Sequence, residues 1–116
     1  MEKATKVNIL GSEWSIFRRE RDIDETLKDC DGYTDNTTRS IIVAIAKREP
    51  GHVEGVEAYM MKVTRHEIVH AFLSESGLNV NSLPCEEGWA MNEEMVDWIA
   101  IQGPKIYKAW QEAGAL

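Results

Sequence analysis

The chain has 116 residues and a mass of 13.2 kDa, which suits one domain with a hydrophobic core and leaves little room for a second lobe. A formal net charge of -7 and a pI near 4.9 argue against nucleic acid or an anionic membrane surface as the main partner. No apolar run reaches the length of a membrane span, and the N-terminus lacks the apolar region of a secretory signal. We therefore expect a cytoplasmic protein in which Cys30 and Cys85 are free thiols.

The first half of the chain predicts a sheet. Residues 6–10 and 14–18 alternate around a glycine turn, which is typical of two paired strands. Residues 20–29 are mostly charged and indicate a loop or short helix. A polar turn then separates a strand at 30–33 from a strongly β-prone strand at 39–46.

The second half predicts helices. Apolar residues recur at helical spacing from about residue 53 to Ser76, where Gly77 is typical of a C-terminal cap. The predicted helix has about six turns.

A second helix is predicted after a loop at 78–83. Pro84 is typical of a helix start, and the pattern continues to about Ile101. We expect Gly103-Pro104 to break this helix and residues 105–111 to form a last short one. Trp98 is expected to pack in the core, and Trp110 either covers that core, which we favour, or is exposed for a partner.

These elements predict an α+β fold with a single domain at 1–116. A small antiparallel or mixed sheet of about three or four strands should pack on the long helix and on the helix that follows it.

The motif His66-Glu67-Ile68-Val69-His70 lies in the first predicted helix. The i, i+4 spacing puts both imidazoles on one helical face, where they can hold one zinc ion. Glu67 then lies beside the metal, where a carboxylate can take a proton from a water that the metal activates. The plainer alternative is a helix with two solvated or hydrogen-bonded histidines.

The second predicted helix supplies a third ligand, because catalytic zinc usually has three protein ligands. Glu93 and Asp97 are four residues apart on a face that also carries Val96 and Ala100. Carboxylates on an apolar face need a partner, and a zinc ligand with a hydrogen-bond partner for a ligating histidine would provide one. Glu94 is the rival ligand, and both glutamates could instead simply be solvated.

The HExxH helix followed by Asn92-Glu93 and Asp97 resembles the gluzincin metallopeptidases. The small size and the strands before the helix look like the minimal gluzincins and the short metallopeptidase-like proteins of phages and mobile elements. The resemblance covers roughly residues 30 to 102. It implies a zincin-like fold with His66, His70 and Glu93 as zinc ligands. It also implies Glu67 as general base and Asp97 as a hydrogen-bond partner of a ligating histidine.

The resemblance implies a zinc-dependent metalloendopeptidase that cleaves a peptide or protein substrate. In zincins the substrate lies along a strand edge, and residues 40–46 are the candidate edge, although their apolar run fits a core strand equally well. The oxyanion-stabilising residue is not selected by the sequence. The candidates are His52, Tyr33, Tyr59, Tyr107 and an arginine.

Two other functions stay open at this point. The chain can be a catalytically silent module that binds Zn²⁺ and recognises a protein partner through the same groove. It can also be an α+β domain that no longer binds metal, although such a relic would have no need to keep Glu67.

Overall fold

In the part of the chain that the structure describes, four strands form one mixed sheet in the order β1-β2-β4-β3. The pairs β1–β2 and β3–β4 are antiparallel, whereas β2 and β4 run parallel. The α+β class and the mixed sheet predicted from the sequence are confirmed. The strands are β1 at Thr5–Ile9, β2 at Ser12–Arg19, β3 at Gly32–Asp35 and β4 at Ser40–Ala44.

The structure is a computed structural model that describes residues 2–48, 50, 54–82 and 88–116, with Asn81 and Ser82 described in their backbone alone. Three sequence predictions lie outside the described residues: the role of His52, the helix start at Pro84 and the state of Cys85. The Cys30 thiol is free.

Strand β4 lies in the middle of the sheet, so the prediction that it forms the exposed edge is wrong. Ile41 and Val43 point into the core under the long helix, while Ile42 and Ala44 pack on the opposite face with Leu27. A strand that is buried on both faces needs a continuous apolar run, which is what this segment carries. The turn after β3 folds β3 onto the outer side of β4, so that β3 and β1 are the two edge strands of the described sheet, and β3 is the one beside β4.

Helix α1 spans Val56–Glu75 and ends where the sequence predicts. Gly77 follows it at φ 87°, a left-handed conformation that stops helices. The chain then forms one further short helix, α2 at Leu78–Ser82, where a loop was predicted. Two 3-10 turns, Arg21–Ile23 and Glu25–Lys28, fill the charged segment between β2 and β3.

Helix α3 spans Glu93–Glu112 and corrects the predicted helix in two ways. It begins at Glu93 because the side chain of Asn92 caps it, accepting a hydrogen bond from the Met95 N–H at 2.7 Å. It also continues through Pro104, where a break was predicted. Pro104 has no N–H to donate to the Ala100 carbonyl, and Arg65 Nε donates to that carbonyl instead at 2.6 Å.

Helices α1 and α3 pack antiparallel, and Leu73, Ala90 and Val96 form a small core between α1 and the start of α3. The prediction that Trp98 and Trp110 are core residues is wrong, because 57% of Trp98 and 53% of Trp110 is exposed. Among the described residues, none of the helices has the length and apolar character that crossing a membrane requires.

Candidate metal centre

Three side chains from two helices converge on one point. His66 and His70 lie one turn apart on α1, with ring centroids separated by 5.0 Å. Glu93 reaches them from the first turn of α3, and ligand atoms of the three residues all lie within 4.8 Å of one another. Two imidazoles and a carboxylate at this spacing can bind a metal ion.

The Glu93 carboxylate bridges the two histidines. Its Oε1 lies 2.9 Å from His70 Nε2 and its Oε2 lies 2.9 Å from His66 Nε2. The side chain is 68% exposed, so the expectation that an apolar face buries it is wrong. Its position at the exposed start of α3 leaves the point where the ligand atoms meet open to a small molecule or peptide.

The surroundings of His66 fit a cation. Its Nδ1 lies 3.1 Å from Asp97 Oδ1, while its Nε2 faces Glu93. A neutral imidazole has only one N–H, so it cannot donate to two carboxylates at once. A second proton or a metal ion on Nε2, with the Nδ1 proton donated to Asp97, would each satisfy both carboxylates, and the second arrangement is that of carboxylate–histidine–metal triads.

Lys62 completes the contacts of Asp97. Its Nζ lies 2.7 Å from Asp97 Oδ1 and, together with His66, holds the pKa of that carboxyl below its usual range. Lys62 lies one turn before His66 on the same face of α1, so that three consecutive turns of one helix carry Lys62, His66 and His70.

Glu67 lies beside the cluster, and it is the one buried charged side chain in the part of the chain that the structure describes. Only 7% of it is exposed, and this burial raises its pKa. The Thr34 hydroxyl donates a hydrogen bond to Glu67 Oε1 at 2.8 Å, which acts in the opposite direction on the pKa. The Glu67 carboxylate is therefore shielded from water and fixed in place by a hydrogen bond.

Gly32 allows the edge strand β3 to approach α1 at this point. A Cβ on Gly32 would lie 2.9 Å from Val63 Cγ1 and 3.4 Å from Glu67 Cγ. Any side chain here would push β3 away from α1, and Thr34 would lose its contact with Glu67.

Two open cavities lie beside the cluster, between β3 and the helices. One, of about 490 Å³, is on the side of His70, and the other, of about 200 Å³, is on the side of His66. Both are lined by Gly32, Glu67 and Glu93. The His70-side cavity adds the neutral polar residues Asn36, Ser74 and Asn79, whereas the His66-side cavity adds the charged residues Asp31, Lys62 and Asp97.

The described candidates for oxyanion stabilisation lie away from the cluster or are engaged elsewhere. The Tyr33 hydroxyl donates to Asp24 at 2.7 Å on the opposite face of the sheet. The Tyr59 hydroxyl donates to Asp31, a contact that raises the pKa of Tyr59 to about 12. Tyr107 lies about 21 Å further along α3 than Glu93.

The predicted ligand set His66, His70 and Glu93 is brought together, whereas the rival Glu94 is exposed and outside the cluster. Sequence reasoning missed Thr34, which was assigned to a turn, and it missed Lys62. Gly32 and Thr34 are two residues apart and therefore lie on the same face of β3. Lys62 precedes His66 by one turn of α1. Those spacings are the signals in the sequence that point to these residues.

The His66-His70-Glu93 cluster is a candidate metal site by its geometry. No model of a protein family, no curated protein and no solved structure matches this chain. The observation that stands is a cluster of two histidines and one glutamate that can hold a metal ion, with a buried glutamate beside it.

Proposed function

We propose that the chain is a zinc-dependent metalloendopeptidase of gluzincin type that hydrolyses a peptide bond in a peptide or protein substrate. The observation that carries this proposal is the convergence of His66, His70 and Glu93 beside the buried carboxylate of Glu67. Two histidines and one glutamate are a ligand set of catalytic zinc, which keeps its fourth position open.

Zinc bound to these residues would lower the pKa of a water molecule and polarise the scissile carbonyl. Glu67 accepts a proton from the attacking water and returns it to the nitrogen of the leaving amine. One water is consumed, the C–N bond breaks, and the products are a carboxylate and an amine. The position of Glu67 favours this role, because its carboxylate lies beside the cluster and is held there by the Thr34 hydroxyl, and a general base must lie within reach of the proton it takes.

The edge strand β3 supports a peptide as the substrate. The Ala44 N–H donates to the Asp31 carbonyl at 2.9 Å, so Asp31 and Ala44 are a hydrogen-bonded pair. The next hydrogen-bonded pair along the two strands is Tyr33 with Ile42. Bonded pairs alternate in an antiparallel ladder, so the main-chain groups of Gly32 and Thr34 point away from β4. An extended peptide can pair with those of Thr34 and with the Gly32 carbonyl, whereas the Gly32 N–H contacts the Cys30 thiol. Cavities on both sides of the cluster suit an endopeptidase.

A catalytically silent zinc module is the alternative. It would need the three ligands but not a carboxylate buried beside them, because taking a charged group out of water is costly even when a hydrogen bond compensates part of that cost. The arrangement of Glu67 therefore favours turnover.

The test compares the parent chain with Glu67→Gln and Glu93→Ala, all purified without chelator. We expect about one zinc per chain in the parent and in Glu67→Gln, because three ligands make one site, and loss of zinc in Glu93→Ala. The zinc-loaded parent should cleave members of a peptide library, and Glu67→Gln should be slower by a factor of about 100 or more.

The outcomes of this test distinguish the zinc peptidase from the catalytically silent zinc module. Zinc binding without cleavage in the parent supports the silent module. Equal cleavage by the parent and Glu67→Gln would show that a contaminating peptidase is responsible. A parent that binds no zinc contradicts both functions.

A further inference from the structure

A single side chain on β3 holds the proposed general base. Thr34 Oγ1 lies 2.8 Å from Glu67 Oε1 and 3.1 Å from the main-chain oxygen of Glu67. The hydroxyl therefore contacts both ends of one residue that is 33 positions away in sequence. Since threonine has one side-chain torsion between backbone and hydroxyl, the β3 backbone sets where this donor lies.

The hydrogen bond distinguishes the two oxygens of Glu67. Oε1 accepts from Thr34, and we therefore expect Oε2 to be the oxygen that takes the proton of an attacking water. Glutamate has three rotatable side-chain bonds, and a carboxylate without a fixed partner would sample several positions. A general base must lie within hydrogen-bond reach of the proton it takes, so its placement affects the rate directly.

The surrounding contacts fix the donor itself. Thr34 lies opposite Ile41 of the buried strand β4, and this register fixes the position of Thr34 along the strand direction. Gly32, two residues earlier on the same face, provides the space that lets β3 lie against α1. The strand that offers main-chain groups to an extended peptide is therefore also the strand that holds Glu67.

We infer that Thr34 is the positioning residue of Glu67, with its hydroxyl fixing the carboxylate so that Oε2 receives the proton. This inference rests on the proposed peptidase function for its kinetic consequence, but the position of the Glu67 carboxylate tests it independently of turnover.

The variants are Thr34→Val, which keeps the shape and removes the hydroxyl, and Thr34→Ser, which keeps the hydroxyl. Thr64→Val is the matched control, because Thr64 is a half-buried threonine of α1 whose hydroxyl donates to the Met60 carbonyl at 2.7 Å. With zinc bound, we expect kcat of Thr34→Val to fall by about 10- to 100-fold while KM stays within about twofold. Thr34→Ser and Thr64→Val should stay within about threefold of the parent.

The second readout is a crystal structure of each zinc-loaded variant. Glu67 should keep its place in the parent, Thr34→Ser and Thr64→Val, and its carboxylate should be displaced or disordered in Thr34→Val. This pattern supports the inference even if no chain cleaves a peptide, in which case only the proposed peptidase function fails. An unmoved Glu67 carboxylate in Thr34→Val overturns the inference, and so does an equal loss of kcat in Thr34→Ser and Thr34→Val.

Discussion

At the scale of single residues, Asp97 lies where the hydrogen-bond partner of a metal-ligating histidine would lie. Its Oδ1 is 3.1 Å from His66 Nδ1, and a proton donated from Nδ1 to Asp97 would fix the ring orientation and leave Nε2 for an ion. We predict that Asp97→Ala weakens zinc affinity by about 10- to 100-fold, as is usual when the partner of a ligating histidine is removed. Competition with a chromogenic chelator measures this directly.

Glu94→Ala is the matched control for that experiment. Like Asp97→Ala it removes one carboxylate from α3, but from an exposed position in the first turn and outside the cluster. Its zinc affinity should equal that of the parent. Equal losses in both variants would mean that the negative charge of this region, rather than the contact with His66, is what matters.

The residues that could be predicted from the sequence are those related by local spacing. His66 and His70 share a helical face whatever the rest of the chain does, and Glu93 was selected by its place beside Asn92 in a known motif. Thr34 could not be found in this way, since its contact with Glu67 depends on how β3 packs on α1. Glu93 was also expected to be buried, and its exposure follows from where Asn92 starts α3.

At the scale of elements, α3 passes through Pro104 because α1 supplies the missing hydrogen bond. We predict that Arg65→Met lowers the free energy of unfolding by about 1 to 3 kcal/mol, because the carbonyl of the buried Ala100 loses its donor. In a Pro104→Ala background the restored N–H can bond that carbonyl, so Arg65→Met should cost less there. Urea denaturation of the four chains measures the difference.

The double-mutant cycle isolates the hydrogen bond from the packing of the Arg65 side chain. Loss of that packing is the same in both backgrounds and cancels, which leaves a coupling of about 0.5 kcal/mol or more. If Arg65→Met costs the same with Pro104 and with Ala at that position, then Arg65 does not compensate for the proline.

The helices and strands can be predicted from the hydrophobic periodicity and residue propensities of the sequence. Which elements lie next to each other cannot be predicted in this way. The alternating and helical patterns predicted four strands and the end of α1 at Gly77. The apolar run of β4 did not reveal whether the strand is central or at an edge, since that depends on which side of it β3 pairs. The helix break expected at Pro104 failed for the same reason, because a side chain from another helix supplies the donor.

At the scale of the whole molecule, the His66-His70-Glu93 cluster joins parts of the chain that are distant in sequence. His66 and His70 belong to α1, Glu93 belongs to α3, and Thr34 connects the same turn of α1 to the sheet. In the unfolded chain these groups are not held together, so an ion that binds the cluster binds the folded state and stabilises it.

We therefore predict that zinc at about 100 times its dissociation constant raises the free energy of unfolding of the parent by about 2.7 kcal/mol. For a domain of this size the midpoint of thermal unfolding should rise by on the order of 10 °C, which calorimetry can measure. Glu67→Gln should gain as much, because its three ligands are intact, whereas Glu93→Ala should gain little. If Glu93→Ala is stabilised as strongly as the parent, the ion binds elsewhere and the His66-His70-Glu93 cluster is not the metal centre.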